Sequence, residues 1–173
     1  MDQLLNFARI DAGRVQLNPR PLGVRLEVDC VLGDIAPLVS KHRIDVDVPT
    51  AVTVLADAHA FAHVLANLLT NAAKFSSAGS RIGITARDDS ADVVISVEDE
   101  GIGIAPEEQD RIFERFYQST PPTASPLGTG VGLTIARYFT EQQGGAIWVR
   151  SQPGEGATFY FMLPSAHTPH ASS

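Results

Sequence analysis

The stretch from Asp57 to Glu100, DAHAFAHVLANLLTNAAKFSSAGSRIGITARDDSADVVISVEDE, decides the architecture. Its first part places Phe61, Val64, Leu65, Leu68 and Ala72 on one stripe at helical spacing. Asp57 is a fitting cap, and the pattern predicts a long helix reaching about Phe75. Ser76-Ser77-Ala78-Gly79 breaks it. Two strand patterns follow, Arg81 to Arg87 and Asp92 to Glu98, joined by the turn Asp88-Asp89-Ser90. A helix here feeds a hairpin rather than a single strand.

The same unit recurs on both sides. Upstream, a helix over Val24 to Ser40, with Leu26, Cys30, Ile35 and Leu38 inward, precedes strands at Ile44 to Val48 and Val52 to Leu55. Downstream, short helical pieces span Pro106 to Tyr117, and a proline-rich, uncharged loop covers Ser119 to Leu127. A helix over Val131 to Gln143 ends at Gly144-Gly145, before strands Ala146 to Arg150 and Ala157 to Leu163. Helices separated by strand pairs predict an α+β fold, a two-layer α/β sandwich with a mixed sheet, since a doubly wound sheet alternates single strands with helices. Residues 1–14 read as the end of a helix stopped at Gly13. Residues 15–23 read as a stiff linker around Asn18-Pro19-Arg20-Pro21, 24–164 as the main domain, and 165–173 as a disordered tail.

Composition narrows the function. The 173 residues are 44% apolar and 19% charged, ordinary for a soluble globule. A net charge of -7 opposes general nucleic-acid binding, which needs a basic face. No apolar run suits a membrane span and Met1 begins no signal peptide, so direct membrane insertion is not expected and the cytoplasm is the default compartment. The lone Cys30 excludes an internal disulfide framework.

Four groups of residues suggest chemistry. Asn67, Asn71 and Lys74 share a helix face, where amide oxygens are hard ligands for magnesium and an ammonium meets phosphate. Taken alone, this is as well a solvated polar face. Asp99 leaves a strand into Glu100-Gly101-Ile102-Gly103, where a carboxylate can accept from an exocyclic amine and glycines let backbone approach a flat base. An ordinary acidic turn would read the same. Gly128-Thr129-Gly130-Val131-Gly132-Leu133 opens a helix with exposed N–H groups suited to anions, without Rossmann or P-loop spacing. Gly154-Glu155-Gly156-Ala157-Thr158 is by itself a hairpin turn.

Together, in this order, these groups resemble the boxes of the catalytic ATP-binding domain of sensor histidine kinases, in the superfamily with gyrase-type, chaperone-type and mismatch-repair ATPases. Asn67 to Phe75 matches the asparagine box, Asp99 to Ile104 the first glycine box and Ile112 to Tyr117 the phenylalanine box. Gly128 to Leu133 matches the second glycine box and Gly154 to Thr158 the last. Even Leu5 to Gly13 resembles the end of that family's dimerisation helix. The resemblance implies a Bergerat-type fold binding ATP and Mg2+. Asn71 would hold the metal, Asn67 and Lys74 the phosphates, and Asp99 the adenine amine, with Thr158 assisting through water. Gly101, Gly103 and Ile104 would line the base. Gly128, Thr129, Gly130, Val131, Gly132 and Leu133 would cradle the phosphates, and Tyr117 would help anchor the lid. Asn71 and Lys74 would be the catalytic pair. The lid, Gln118 to Leu127, lacks the cation that family lids often carry, and Arg115 is the nearest substitute.

Hydrolysing relatives place a glutamate four residues before the magnesium asparagine. Asn67 stands there, and an amide cannot take a proton from water. Transfer to a protein acceptor therefore fits better than hydrolysis. None of His42, His59, His63, His167 and His170 precedes an acidic residue, so the acceptor histidine is expected on a separate dimerisation domain, in cis or in trans, with a response-regulator receiver domain downstream. One half of a split kinase, an anti-sigma-type serine kinase and a non-catalytic ATP sensor are the alternatives.

Overall fold

A computed structural model describes residue 8, residues 15–114, residue 117 and residues 132–167. Strand β1 (Arg20–Gly23) leads into helix α1 (Val24–Asp34) and the short helix α2 (Ala36–Val39). Strands β2 (Arg43–Asp47) and β3 (Thr53–Ala56) precede the long helix α3 (Ala58–Phe75), and β4 (Arg81–Asp89) and β5 (Asp92–Asp99) form the hairpin after it. Two 3-10 turns, Pro106–Glu108 and Arg111–Phe113, come next. Helix α4 (Gly132–Gln142) then leads to β6 (Ala146–Ser151) and β7 (Ala157–Pro164).

The main sheet runs β2-β4-β5-β7-β6, and β1 and β3 form a separate antiparallel pair. Only β2 lies parallel to its neighbour, β4, so the main sheet is mixed. Helices α3 and α4 pack on each other and on one face of it, and α1 packs on α3. Alternation sends Ile82, Ile84, Val93, Ile95, Val97, Phe159 and Phe161 into the helix layer, all buried. Phe61 of α3 meets Phe161 edge-on at 5.6 Å. Each such buried side chain contributes about 1.5–3 kcal/mol relative to exposure. The outer face is polar: Arg81 pairs with Asp45 at 2.6 Å and Glu98 at 3.4 Å, and Arg87 with Asp47 at 2.6 Å. No helix among the described residues is long and apolar enough to cross a membrane.

One expectation needs correction. The stripe of Leu26, Cys30, Ile35 and Leu38 does not face inward as a unit. Ile35 is buried, but Leu26 is 65% and Leu38 63% exposed, and Cys30 is exposed too. The buried side chains are Val24, Val28, Val31, Ile35 and Val39. Both stripes have helical spacing, and the break at Ile35 (φ -105°, ψ 12°) separates α1 from α2, so the partner surface on α3 decides between them.

The stiff extended linker read over residues 15–23 is built into the fold. Its last four residues are β1, paired from Arg20 with Ala56 to Gly23 with Thr53. The extended backbone that Pro19 and Pro21 impose suits a strand in a two-stranded sheet, where a missing N–H is tolerated. Val15 and Leu17 pack against the core, and the Asn18 N–H donates to Asp57 Oδ2 at 2.8 Å.

Residues 165–167, read as the start of the tail, are tied to the fold. The Ser165 N–H donates to the Ala91 carbonyl at 2.9 Å, and the Ala166 N–H to that of Thr53 at 3.2 Å. His167 Nδ1 lies 3.3 Å from Thr53 Oγ1. The readings of residues 168–173, of the proline-rich loop and of the helix end at 1–14, save Ala8, fall outside the described residues.

Candidate functional site

Helix α3 carries the asparagine face. Asp57 caps it, with Oδ1 accepting from the Ala60 N–H at 2.9 Å. Burial would raise the Asp57 pKa, but the backbone N–H groups of Asn18, Ala60 and His59 and the charge of His59 outweigh it and lower it below the usual carboxylate range. The apolar stripe of α3 is buried as expected, so the polar face has a fixed direction. Asn67 is buried, Asn71 half-buried and Lys74 exposed, a gradation from the core to the open end of the helix.

That end meets the first glycine box. The Ile102 N–H donates to the Phe75 carbonyl at 3.2 Å, so Asp99 to Ile104 lies against the C-terminus of α3. Asp99 is buried, and its carboxylate accepts from the N–H groups of Gly101, at 2.8 Å to Oδ1, and Ala157. Burial raises its pKa above the ordinary carboxylate value. Those two hydrogen bonds offset part of the rise, and the neighbouring Glu98 charge adds to it. A buried carboxylate at a strand exit, with backbone folded tightly around it, is an acceptor prepared for a polar edge of a ligand.

The last glycine box closes the other side. Gly156 has φ +76°, and a Cβ there would sit 2.1 Å from the Asp99 carbonyl. Gly103, also at φ +76°, would bring a Cβ within 2.1 Å of the Gln152 carbonyl. Both positions need glycine twice over, for conformation and for room. A cleft of about 480 Å³ adjoins this junction, lined by Asp99, Gln109, Ser151 and Ala157 and, towards the outer face, by Glu98, Arg150 and Thr158.

Thr158 lines the rim of this cleft but is out of phase with Asp99. Ala157 is the cross-strand partner of Asp99, while Thr158 pairs with Glu98 and Arg150, one residue out of phase and on the outer face. The sequence signal is adjacency in the box, which says nothing of strand phase.

The phenylalanine box forms a buttress. Ile112 and Phe113 are buried, and Phe113 meets Phe159 edge-on at 6.3 Å. Thr134, in the first turn of α4, donates from Oγ1 to the Phe113 carbonyl at 3.0 Å. The Tyr117 hydroxyl donates to Glu108 Oε1 at 2.7 Å, with the Arg111 guanidinium 4.8 Å from its ring centroid. The Glu108 hydrogen bond, with burial and the Glu108 charge, raises the Tyr117 pKa. Gly132 opens α4 and Leu133 packs against the core. Gly128, Thr129, Gly130, Val131 and Arg115 lie outside the described residues.

Among the described residues no three His, Cys, Asp or Glu side chains cluster as metal ligands. The asparagine face fits a metal only as a partial site. Its amide oxygens are hard donors that suit magnesium when phosphates and water complete the shell. Reading the sequence alone missed Ser151 and Gln109, which hold Ile104 at the end of the first glycine box. Neither belongs to a box, and their hydrogen bonds cross 47 and 42 positions of chain.

The sequence profile described as histidine kinase-, DNA gyrase B- and HSP90-like ATPase matches residues 56–167. The sensor-like histidine kinase SenX3 of Mycobacterium tuberculosis is 35% identical over 167 residues, covering 90% of this chain and 40% of its own length. The chain therefore spans about two fifths of that relative. Among solved structures, full-length ShkA in complex with AMPPNP superposes with a TM-score of 0.83 at 32% identity, over 96% of this chain and 35% of that one. The mycobacterial sensor histidine kinase MprB gives 0.78 at 29% identity, over 86% of this chain and all of its own. The fold is thus the expected α/β sandwich. The chain belongs to the histidine kinase-, DNA gyrase B- and HSP90-like ATPase family.

Proposed function

We propose that this chain is the catalytic domain of a sensor histidine kinase, which binds ATP with Mg2+ and passes the γ-phosphoryl group to a histidine on a dimerisation domain. The observation that carries this reading is Asn67. It is a buried amide on the nucleotide-facing helix, at the position where a hydrolysing relative would carry a glutamate base. Phosphoryl transfer needs chiefly positioning and charge neutralisation, and this site has the groups for both.

Asp99 accepts from the adenine amine, with the backbone of Gly101, Gly103 and Ile104 against the ring. Asn71 offers its amide oxygen to magnesium, Asn67 supports the phosphates, and Lys74 reaches them as a point charge. Magnesium, when bound, would draw charge from the phosphate oxygens. Gly128 to Leu133 would cradle the phosphates at the start of α4. A receiver domain of a response regulator is the expected next acceptor, and the cytoplasm, where ATP is abundant, the expected setting.

The test supplies the chain with labelled ATP, alone and with a histidine-bearing dimerisation helix pair. The chain alone should stay unlabelled, and the helix pair should take an acid-labile, base-stable phosphoryl group. Self-labelling on one of the five histidines, or labelling only of a serine on a separate protein, would overturn this assignment.

A further inference from the structure

We propose that Gln109 and Ser151 form a clip that sets the height of the base-side loop against Asp99, and so act as positioning residues for adenine recognition. This rests on the nucleotide reading above. Ile104 is held from both of its backbone groups. Its N–H donates to Ser151 Oγ at 2.8 Å, and its carbonyl accepts from Gln109 Nε2 at 3.1 Å. The two clip residues are themselves joined, since Gln109 Nε2 also donates to the Ser151 carbonyl at 2.8 Å. The Ser151 hydroxyl in turn donates to the Gly156 carbonyl at 2.6 Å. One hydroxyl therefore ties the first glycine box to the last, on the same side of β6–β7 as Asp99.

Neither side chain belongs to the hydrophobic core. Both are half-buried at the rim of the cleft and bond the loop through polar atoms. What they fix is distance. Gly101 already brings a would-be Cβ within 2.7 Å of Asp99 Oδ1, so the loop has no slack towards the carboxylate. It can move only outward, and the clip is what prevents that movement. The Gly154 N–H to Ile102 carbonyl bond, 2.7 Å, holds the loop at its middle but leaves the Ile104 end to the clip. A base stacked on a loosened loop would lose register with Asp99, and the amine-to-carboxylate bond that separates adenine from guanine would weaken first.

Gln109 adds a second connection. It follows the turn containing Glu108, which holds the Tyr117 hydroxyl. Base loop and phenylalanine box are thus fastened to one short segment, Pro106 to Gln109.

The experiment uses the whole chain and a fluorescent ATP analogue, displaced by ATP and separately by GTP. Gln109→Met keeps length without donors, Ser151→Ala removes the hydroxyl, and Ser151→Thr keeps it. Gln109→Met and Ser151→Ala should each lose about tenfold in ATP affinity, the scale of one hydrogen bond of this kind, with GTP affinity little changed. Ser151→Thr should restore selectivity, and the melting midpoint should not track the loss. ATP and GTP affinities falling together with the midpoint would make the clip merely structural and overturn the proposal. So would unchanged selectivity. Should Gln109→Met not fold, the Ser151 pair decides alone. A parent chain that does not bind ATP at all overturns the nucleotide reading and the clip with it. Intact parent binding with unaffected variants overturns only the clip.

Discussion

Asp99 bears two opposed demands. Under the proposed function its charge serves an adenine amine, yet its burial raises the pKa, so the folded chain without ligand holds that charge at a cost. A folded-state pKa above the unfolded value means the group favours folding at acid pH, and that contribution is lost as pH rises through the folded pKa. Asp99→Asn should therefore cost tenfold or more in ATP affinity, about 1–3 kcal/mol for an unsatisfied pair. The nucleotide-free midpoint at neutral pH should not fall, and the advantage of the variant should vanish towards about pH 4. Melting curves across pH, with and without ATP, check both halves. A midpoint lowered at pH 7 would show that the two N–H bonds outweigh burial. At position 158, Thr158→Val should leave ATP affinity within about twofold, because alternation puts that side chain on the outer face. Displacement titration decides it, and a larger loss would return the threonine to the site. The candidate residues were legible as types in boxes, and Asn67, Asn71, Lys74 and Asp99 lie on the elements expected of them. The face that Thr158 occupies was not, since a one-residue shift of phase leaves the motif unchanged.

Among the elements, α3 was read almost to the residue, because one strong apolar stripe, a side-chain cap and a serine stop agree. Helix α1 was not, because it carries two stripes. Val28 is fully buried and Leu26 is 65% exposed. Val28→Ala should then cost about 2 kcal/mol, whereas Leu26→Lys should stay within about 0.5 kcal/mol. Urea unfolding of both variants checks the orientation, and the reverse ranking would restore the leucine stripe. The α3 cap has a longer reach. Asp57 holds Asn18 from the incoming segment and Ala60 of its own helix, while its N–H donates to Gln143 Oε1 at 2.7 Å. Asp57→Ala should cost about 1–2 kcal/mol. A lowered folded-state pKa gives stability that is present above the unfolded value and lost as pH falls through the folded one. The penalty for Asp57→Ala, followed by urea unfolding, should therefore shrink below about pH 4. A penalty constant with pH would mean that the charge plays no part.

For the molecule as a whole, the class of fold was legible and the strand order was not. Three helix-plus-strand-pair units predict a mixed two-layer sandwich, but no local signal says that β2 will lie parallel to β4 or that β1 and β3 will leave to form their own sheet. Those pairings are fixed by contacts tens of residues apart. The last described residues show how far such contacts run. After β7 the chain passes from the main sheet, where the Ser165 N–H bonds Ala91 in the β4–β5 turn, to the small sheet, where the Ala166 N–H bonds Thr53. This crossing is a strap, and it bears on grafting. A reporter or a second domain joined directly after Pro164 would compete with the strap for its place between the two sheets. The same insert joined beyond His167 would leave it seated, so the usable junction lies three residues later than the end of the last strand suggests.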